Sequence, residues 1–149
     1  MIPAEQLAQT FQSNHWLACR LLEGITHDES LLAPEFQANC INWLIGHIVV
    51  GRDRALKALA KPLILGEAEK ELYQTGSAAL QEERALPLEN LHAALDETQV
   101  RLEQALSQVS EEFLSEIIST RFAARAGSTS PGWAGTKRIT SGSWNCSDN

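Results

Sequence analysis

The body of this sequence has no stretch in which apolar and polar residues alternate as they would along a half-buried strand, so a β-sheet core has no source. It has no internal repeat either. No apolar run approaches the ~18 residues that a membrane-crossing helix needs, so no membrane partner is expected. The opening residues, Met1-Ile2-Pro3-Ala4-Glu5-Gln6, lack a basic region followed by an apolar core and do not read as a signal peptide. Cysteine is sparse: Cys19, Cys40 and Cys146 are the three present, and none forms a CxxC pair. An odd, scattered set argues against a disulfide scaffold and for a reducing compartment, so a cytoplasmic location is expected. Positive charge is also short, with 12 Lys and Arg against 19 Asp and Glu and a net charge of −7. Arg121, Arg125, Lys137 and Arg138 stand late in the chain against Asp148 alone, which puts +3 there and leaves −10 on the body. A body this acidic offers no basic face, so no nucleic-acid partner is expected. The four late cations are scattered and make a poor binding arm. Histidine is absent after His92.

What the sequence does have is helical period. At 149 residues it is long enough for one domain with a real core. A first helix is expected over about Ala4 to Glu23, with Leu7, Phe11, Ala18, Leu21 and Leu22 on one stripe and Gly24 as its stop. Thr26-His27-Asp28-Glu29 fits a capping box, followed by a short turn through Leu31 and Leu32 that Pro34 ends. A second long helix is expected from Asn39 or Cys40 to Ala60. Its inner face reads as Leu44, His47, Ile48, Gly51, Ala55, Ala58 and Leu59, with Arg52, Asp53 and Lys57 outside it. Gly51, Ala55 and Ala58 are small enough to admit a neighbouring helix, and Lys61-Pro62 closes the element. Leu63 to Leu86 form a long acidic connection, partly helical around Glu67 to Tyr73. A connection of that length often lies over a site. A third long helix begins near Pro87, with Leu88, Leu91, Leu95, Leu102, Ala105, Leu106 and Val109 as its stripe. Ser110-Glu111-Glu112 reads as a cap, with a short helix through Phe113, Leu114, Ile117 and Ile118 after it.

The informative segment is Asn42-Trp43-Leu44-Ile45-Gly46-His47-Ile48-Val49-Val50-Gly51-Arg52-Asp53. Spacing alone favours a core histidine at His47 with a hydrogen-bond partner, since buried polar groups are paired. A metal ligand is the other reading. His92 reads as a flank or surface residue, His15 beside Trp16 as a packing or surface residue, and His27 as solvated.

Asn14-His15-Trp16-Leu17, Leu22-Glu23-Gly24, the link from Thr26 to Pro34 and above all Asn42-Trp43-Leu44-Ile45-Gly46-His47 give a pattern that resembles the DinB-like family of metal-dependent helical-bundle proteins. The resemblance covers roughly Leu7 to Ile118. It implies that His47 is a ligand for a divalent metal, zinc or nickel. It also implies two further histidines, spaced His-x-x-x-His, on a fourth helix. Histidines four apart share a helix face, and three imidazoles leave positions on the ion open for water or substrate. Such an ion lowers the pKa of bound water or thiol, or polarises a carbonyl. The implied activity is transferase or hydrolase chemistry on a small-molecule substrate that the sequence does not identify, with a low-molecular-weight thiol as co-substrate in some relatives.

The expected fourth helix is missing from the sequence. From Ala126 the helical period is replaced by Gly, Ser and Thr, so residues 123–149 read as an irregular or flexible tail and residues 1–122 as the helical domain. A one-base shift in the encoding DNA accounts for this. Reading each codon from the last base of one present codon and the first two of the next, the stretch from Trp133 onward is compatible with Trp-His-Glu-Ala-Tyr-His-Leu-Gly-Gln-Leu-Glu-Leu-Leu-Arg-Gln. That string is amphipathic and contains His-x-x-x-His.

The fold class expected is therefore all-α, an up-and-down antiparallel helical bundle of DinB-like type with its fourth helix absent or irregular. The chain as it stands, holding His47 alone of the implied ligands, is expected to bind metal weakly and to show little activity. The alternative function is a non-catalytic helical interaction module, a homodimer formed through exposed apolar stripes.

Overall fold

A computed structural model describes residues 3–33 and 39–127. It contains six helices: α1 (Ala4–Leu22), α2 (His27–Leu31), α3 (Ile41–Ala58), α4 (Glu67–Tyr73), α5 (Leu88–Gln108) and α6 (Glu111–Gly127), with a single 3₁₀ turn at Glu82–Arg84. The fold is all-α, and no strand occurs among the described residues. The sixth helix continues past Phe122 to Gly127. The tail assigned to residues 123–149 otherwise lies outside the described residues, as does Pro34.

The long helices α1, α3 and α5 form the core. Val49 of α3 clusters with Leu91 and Leu95 of α5, and Leu56 and Leu102 further along the same helices are likewise without exposed surface. The stripe expected on α5 is borne out at Leu88, Leu91, Leu95, Leu102, Ala105 and Leu106, all buried. Alternation of helix direction is not borne out. Asn42 bonds Leu86 beside the start of α5, and Arg52, ten positions on, bonds Leu95 and Gln99. Both helices advance together, so α3 and α5 run parallel. His15 reaches Asp96, while Leu22 and Leu88 line one pocket, so α1 runs antiparallel to α5. A parallel pair explains the length of the intervening connection. An 18-residue α3 is about 27 Å long at ~1.5 Å per residue, and the chain must travel back that far before α5 begins.

The connection is tied down along its whole return. Both carboxylate oxygens of buried Asp53 accept backbone amides, from Ile64 at 2.9 Å and Leu65 at 3.0 Å. At the far end, the Tyr73 hydroxyl donates to Asn42 Oδ1 at 3.0 Å and accepts from the Leu86 amide at 2.8 Å. Asn42 in turn donates to the Leu86 carbonyl at 2.9 Å. Tyr73 is fully buried, and its ring lies close against the bare backbone of Gly46.

Local signals explain the helix ends. Gly24, at φ +78°, stops α1 where a side chain would be strained. The Thr26 hydroxyl accepts the Glu29 amide, and the Glu29 carboxylate accepts the Thr26 amide at 2.8 Å, closing the capping box. α3 ends before Lys61-Pro62 through Ala60, whose φ of +55° is unusual for a residue with a side chain. The Lys61 amide bonds the Leu56 carbonyl and the Ala60 amide bonds that of Lys57, the paired bonds of a Schellman ending.

The inner face expected for α3 needs correction. Leu44 is 46% exposed and Ile48 is 40% exposed, while Asn42, Ile45, Gly46, Val49, Val50, Arg52, Asp53 and Leu56 are buried. Arg52 and Asp53 enter the interior because fixed partners replace their water. Arg52 donates to Gln99 Oε1 at 3.0 Å and to the carbonyls of Phe11 and Leu95, and its guanidinium lies 5.8 Å from the Phe11 ring centre. A buried charge so paired avoids most of its desolvation cost. Leu21, expected on the buried stripe of α1, is 68% exposed.

Candidate functional site

His47 sits on α3 one turn after Trp43, and the two rings stack with centroids 4.6 Å apart and planes 9° from parallel. His47 Nδ1 lies 2.7 Å from the Tyr73 carbonyl oxygen. A carbonyl only accepts, so Nδ1 carries the proton, and in the neutral ring Nε2 keeps its lone pair. A backbone partner on one nitrogen that fixes the ring and leaves the other free is the arrangement metal-bound histidines use. It also satisfies a core histidine, so the geometry accommodates both readings of this residue.

The other residues of the motif have structural tasks. Asn42 and Gly46 receive Tyr73 as described, and the Trp43 indole donates to Ser77 Oγ at 2.9 Å. Four positions of the motif thus face the connection. The acidic connection lies over this segment, as its length suggested.

A second set of donors gathers between α1 and α5. His15 Nε2 lies 3.1 Å from Asp96 Oδ1 and 3.6 Å from Cys19 Sγ. His92 Nδ1 lies 3.5 Å from Asp96 Oδ2. Among the described residues, His15, Cys19 and Asp96 are the group of three metal-type donors close enough to hold one ion; His47 belongs to no such group. Burial, reinforced by the Arg52 charge, lowers the His15 pKa. Burial and then Asp96 push the Cys19 thiol up. His15 had read as a packing or surface residue; it is a partly buried member of this cluster. His92 is at the surface edge, as expected. His27, expected in solvent, is half-buried, and its Nδ1 accepts the Leu88 amide at 3.3 Å at the start of α5. The signal for the cluster was present as two i, i+4 pairs, His15/Cys19 and His92/Asp96, each on one helix face. Their meeting depends on the α1–α5 register, which no local pattern shows.

A third feature is an open apolar groove of about 690 Å³ between α1 and α3. Leu17, Leu21, Leu44 and Ile48 line it, and Gly51 forms part of its wall. Gly51 has no neighbour within 4 Å of where a side chain would begin, so among the described residues no helix approaches there.

The family comparison agrees with this architecture. The model of the DinB superfamily matches residues 17–136, and the chain belongs to that family. No curated protein and no solved structure matches. Membership points to a metal-binding helical protein. The residues present at His47 do not by themselves fit such a centre. A single imidazole is one donor of the several an ion needs, and no histidine follows His92 to supply the rest. No helix among the described residues is long and apolar enough to cross a membrane.

Proposed function

We propose that this chain is a DinB-type scaffold for divalent-metal chemistry, transferase or hydrolase in class, whose His47 centre is incomplete. The observation that supports it is the His47 ring: held by Tyr73 and Trp43, it keeps Nε2 available. One such ligand gives weak binding of zinc or nickel and little turnover of any small-molecule or thiol substrate. The test replaces the residues from Trp133 onward by the alternative-frame string. The restored chain should bind one nickel or zinc ion in a way that His47→Ala abolishes. A restored chain whose metal binding is indifferent to His47→Ala overturns the reading. Sequencing the encoding DNA gives an independent check: a one-base change must regenerate the string.

The groove favours a second reading, a non-catalytic module that pairs with another copy of itself. Leu17, Leu21, Leu44 and Ile48 are between 40% and 68% exposed on adjoining helices. A contiguous apolar patch of this kind is unusual on a monomer.

A further inference from the structure

We infer that His15, Cys19 and Asp96 form a binding site for a zinc-type divalent cation, separate from His47, with His92 positioning the Asp96 carboxylate. Zinc bonds nitrogen and carboxylate oxygen at about 2.0–2.2 Å and thiolate sulfur at about 2.3 Å. Tetrahedral angles then require about 3.4 Å between nitrogen and oxygen and about 3.6 Å between nitrogen and sulfur. His15 Nε2 lies 3.1 Å from Asp96 Oδ1 and 3.6 Å from Cys19 Sγ. Two of the three edges of the coordination polyhedron are therefore in place to within a few tenths of an ångström, and the third, between Cys19 and Asp96, is within 4.8 Å, so side-chain rotation has to close it.

The backbone supplies the preorganisation. His15 and Cys19 are four apart on α1, and His92 and Asp96 are four apart on α5, so each helix aims two groups at the other. His92 stands 3.5 Å from the Asp96 oxygen that does not face His15, the place from which an imidazole orients a ligating carboxylate. Three protein ligands leave a fourth position for water, which the partial exposure of Asp96 admits. A thiolate–imidazole–carboxylate set suits zinc and cobalt better than magnesium or calcium, which prefer oxygen throughout. Binding replaces the thiol proton by the metal, and that proton passes to solvent.

Charge does not forbid the ion. The buried Arg52 guanidinium is nearby and opposes a cation, but the thiolate and Asp96 carry two negative charges against it. Arg52 is also occupied by Gln99 and two backbone carbonyls. The weak binding expected from the sequence counted His47 alone, and this site does not depend on it.

Cobalt is the probe, because a cobalt–thiolate bond gives a charge-transfer absorption that nitrogen and oxygen ligands do not. Titration of the full chain with Co²⁺ should give this band at one equivalent, and zinc should remove it. Cys19→Ser should lose the band, and Asp96→Asn should weaken binding at least about tenfold. His92→Gln should weaken it by about 10–100-fold, the range for partners of metal ligands. His47→Ala and Cys40→Ser should leave it intact. Circular dichroism of each variant separates loss of the site from loss of the fold. A band that survives in folded Cys19→Ser, or that disappears in Cys146→Ser, overturns the proposal. So does the absence of any thiolate band at a hundred micromolar excess of cobalt. Because His47→Ala serves as the control, failure here leaves the reading of His47 untouched.

Discussion

Glu29 acts on both sides of one turn. Its amide is held by the Thr26 hydroxyl, and its carboxylate accepts the Thr26 amide and hydroxyl in return. The backbone amide, and then the hydroxyl, hold its pKa below the ordinary glutamate value. A carboxylate with a depressed pKa stabilises the fold above its unfolded-state pKa and loses that contribution as pH falls through the folded value. The expected outcome is a loss of stability on acidification below the ordinary glutamate range that Glu29→Gln flattens, measured by urea unfolding at stepped pH. An identical pH profile in the variant contradicts this. The same residue scale shows what was legible in sequence and what was not. The capping box could be read because all its atoms lie within four residues. Arg52 and Asp53 read as surface groups because their partners, backbone atoms and the Gln99 side chain, lie 11 to 47 residues away, which no periodicity records. The His15 cluster escaped for a like reason: each half was visible, but the register joining them was not.

At the level of elements, α3 and the connection behave as one unit. Gly46 is the contact that decides how close they come. In an exposed helix, Gly→Ala gains about 1 kcal/mol from propensity. Here the new Cβ would overlap the Tyr73 ring. That ring cannot swing away, since its hydroxyl is bonded at Asn42 and Leu86. Overpacking of this kind costs typically about 1–3 kcal/mol, which outweighs that gain, so the net effect of Gly46→Ala should be destabilising by up to about 2 kcal/mol. A shift of the urea midpoint with an unchanged slope is the measurement; a stabilised variant means the connection packs elsewhere. The variant should also disturb His47, which depends on the Tyr73 carbonyl. Most of the motif that marks the family here therefore does structural work, and its histidine gains its fixed orientation from that work. The stripe of α5 was legible because Leu88 to Leu106 face one continuous core. The face of α3 was misjudged because both of its sides are apolar, and only one meets α5.

At the scale of the whole molecule, the described residues pack α1, α3 and α5 together and leave an open groove between α1 and α3. If two copies meet through it, polar groups there must keep them apart. The double substitution Leu21→Glu and Ile48→Glu should shift a concentration-dependent dimer to monomer in sedimentation. It should cost little stability, because both positions are already exposed. A wild-type chain that stays monomeric at high concentration removes the dimer reading. The all-α class was legible at this scale from period alone, and the order of helix directions was not. A long connection can cross the bundle or decorate it, and the bonds from Asn42 to Leu86, just before α5, and from Arg52 to α5 show that it crosses.

That parallel pairing of α3 with α5 carries a consequence for the chain as it is made. The ties between the two helices join residues 43 to 47 positions apart, where a hairpin of helices would close over a short turn. Nothing upstream can stand in for α5, so α3 must wait for it. At ribosomal speeds of about 5–20 residues per second, the apolar side of α3 stays uncovered for several seconds after it emerges. The nascent chain is most vulnerable to aggregation in that interval, and its yield should respond to translation rate and to chaperone supply more than its final stability suggests.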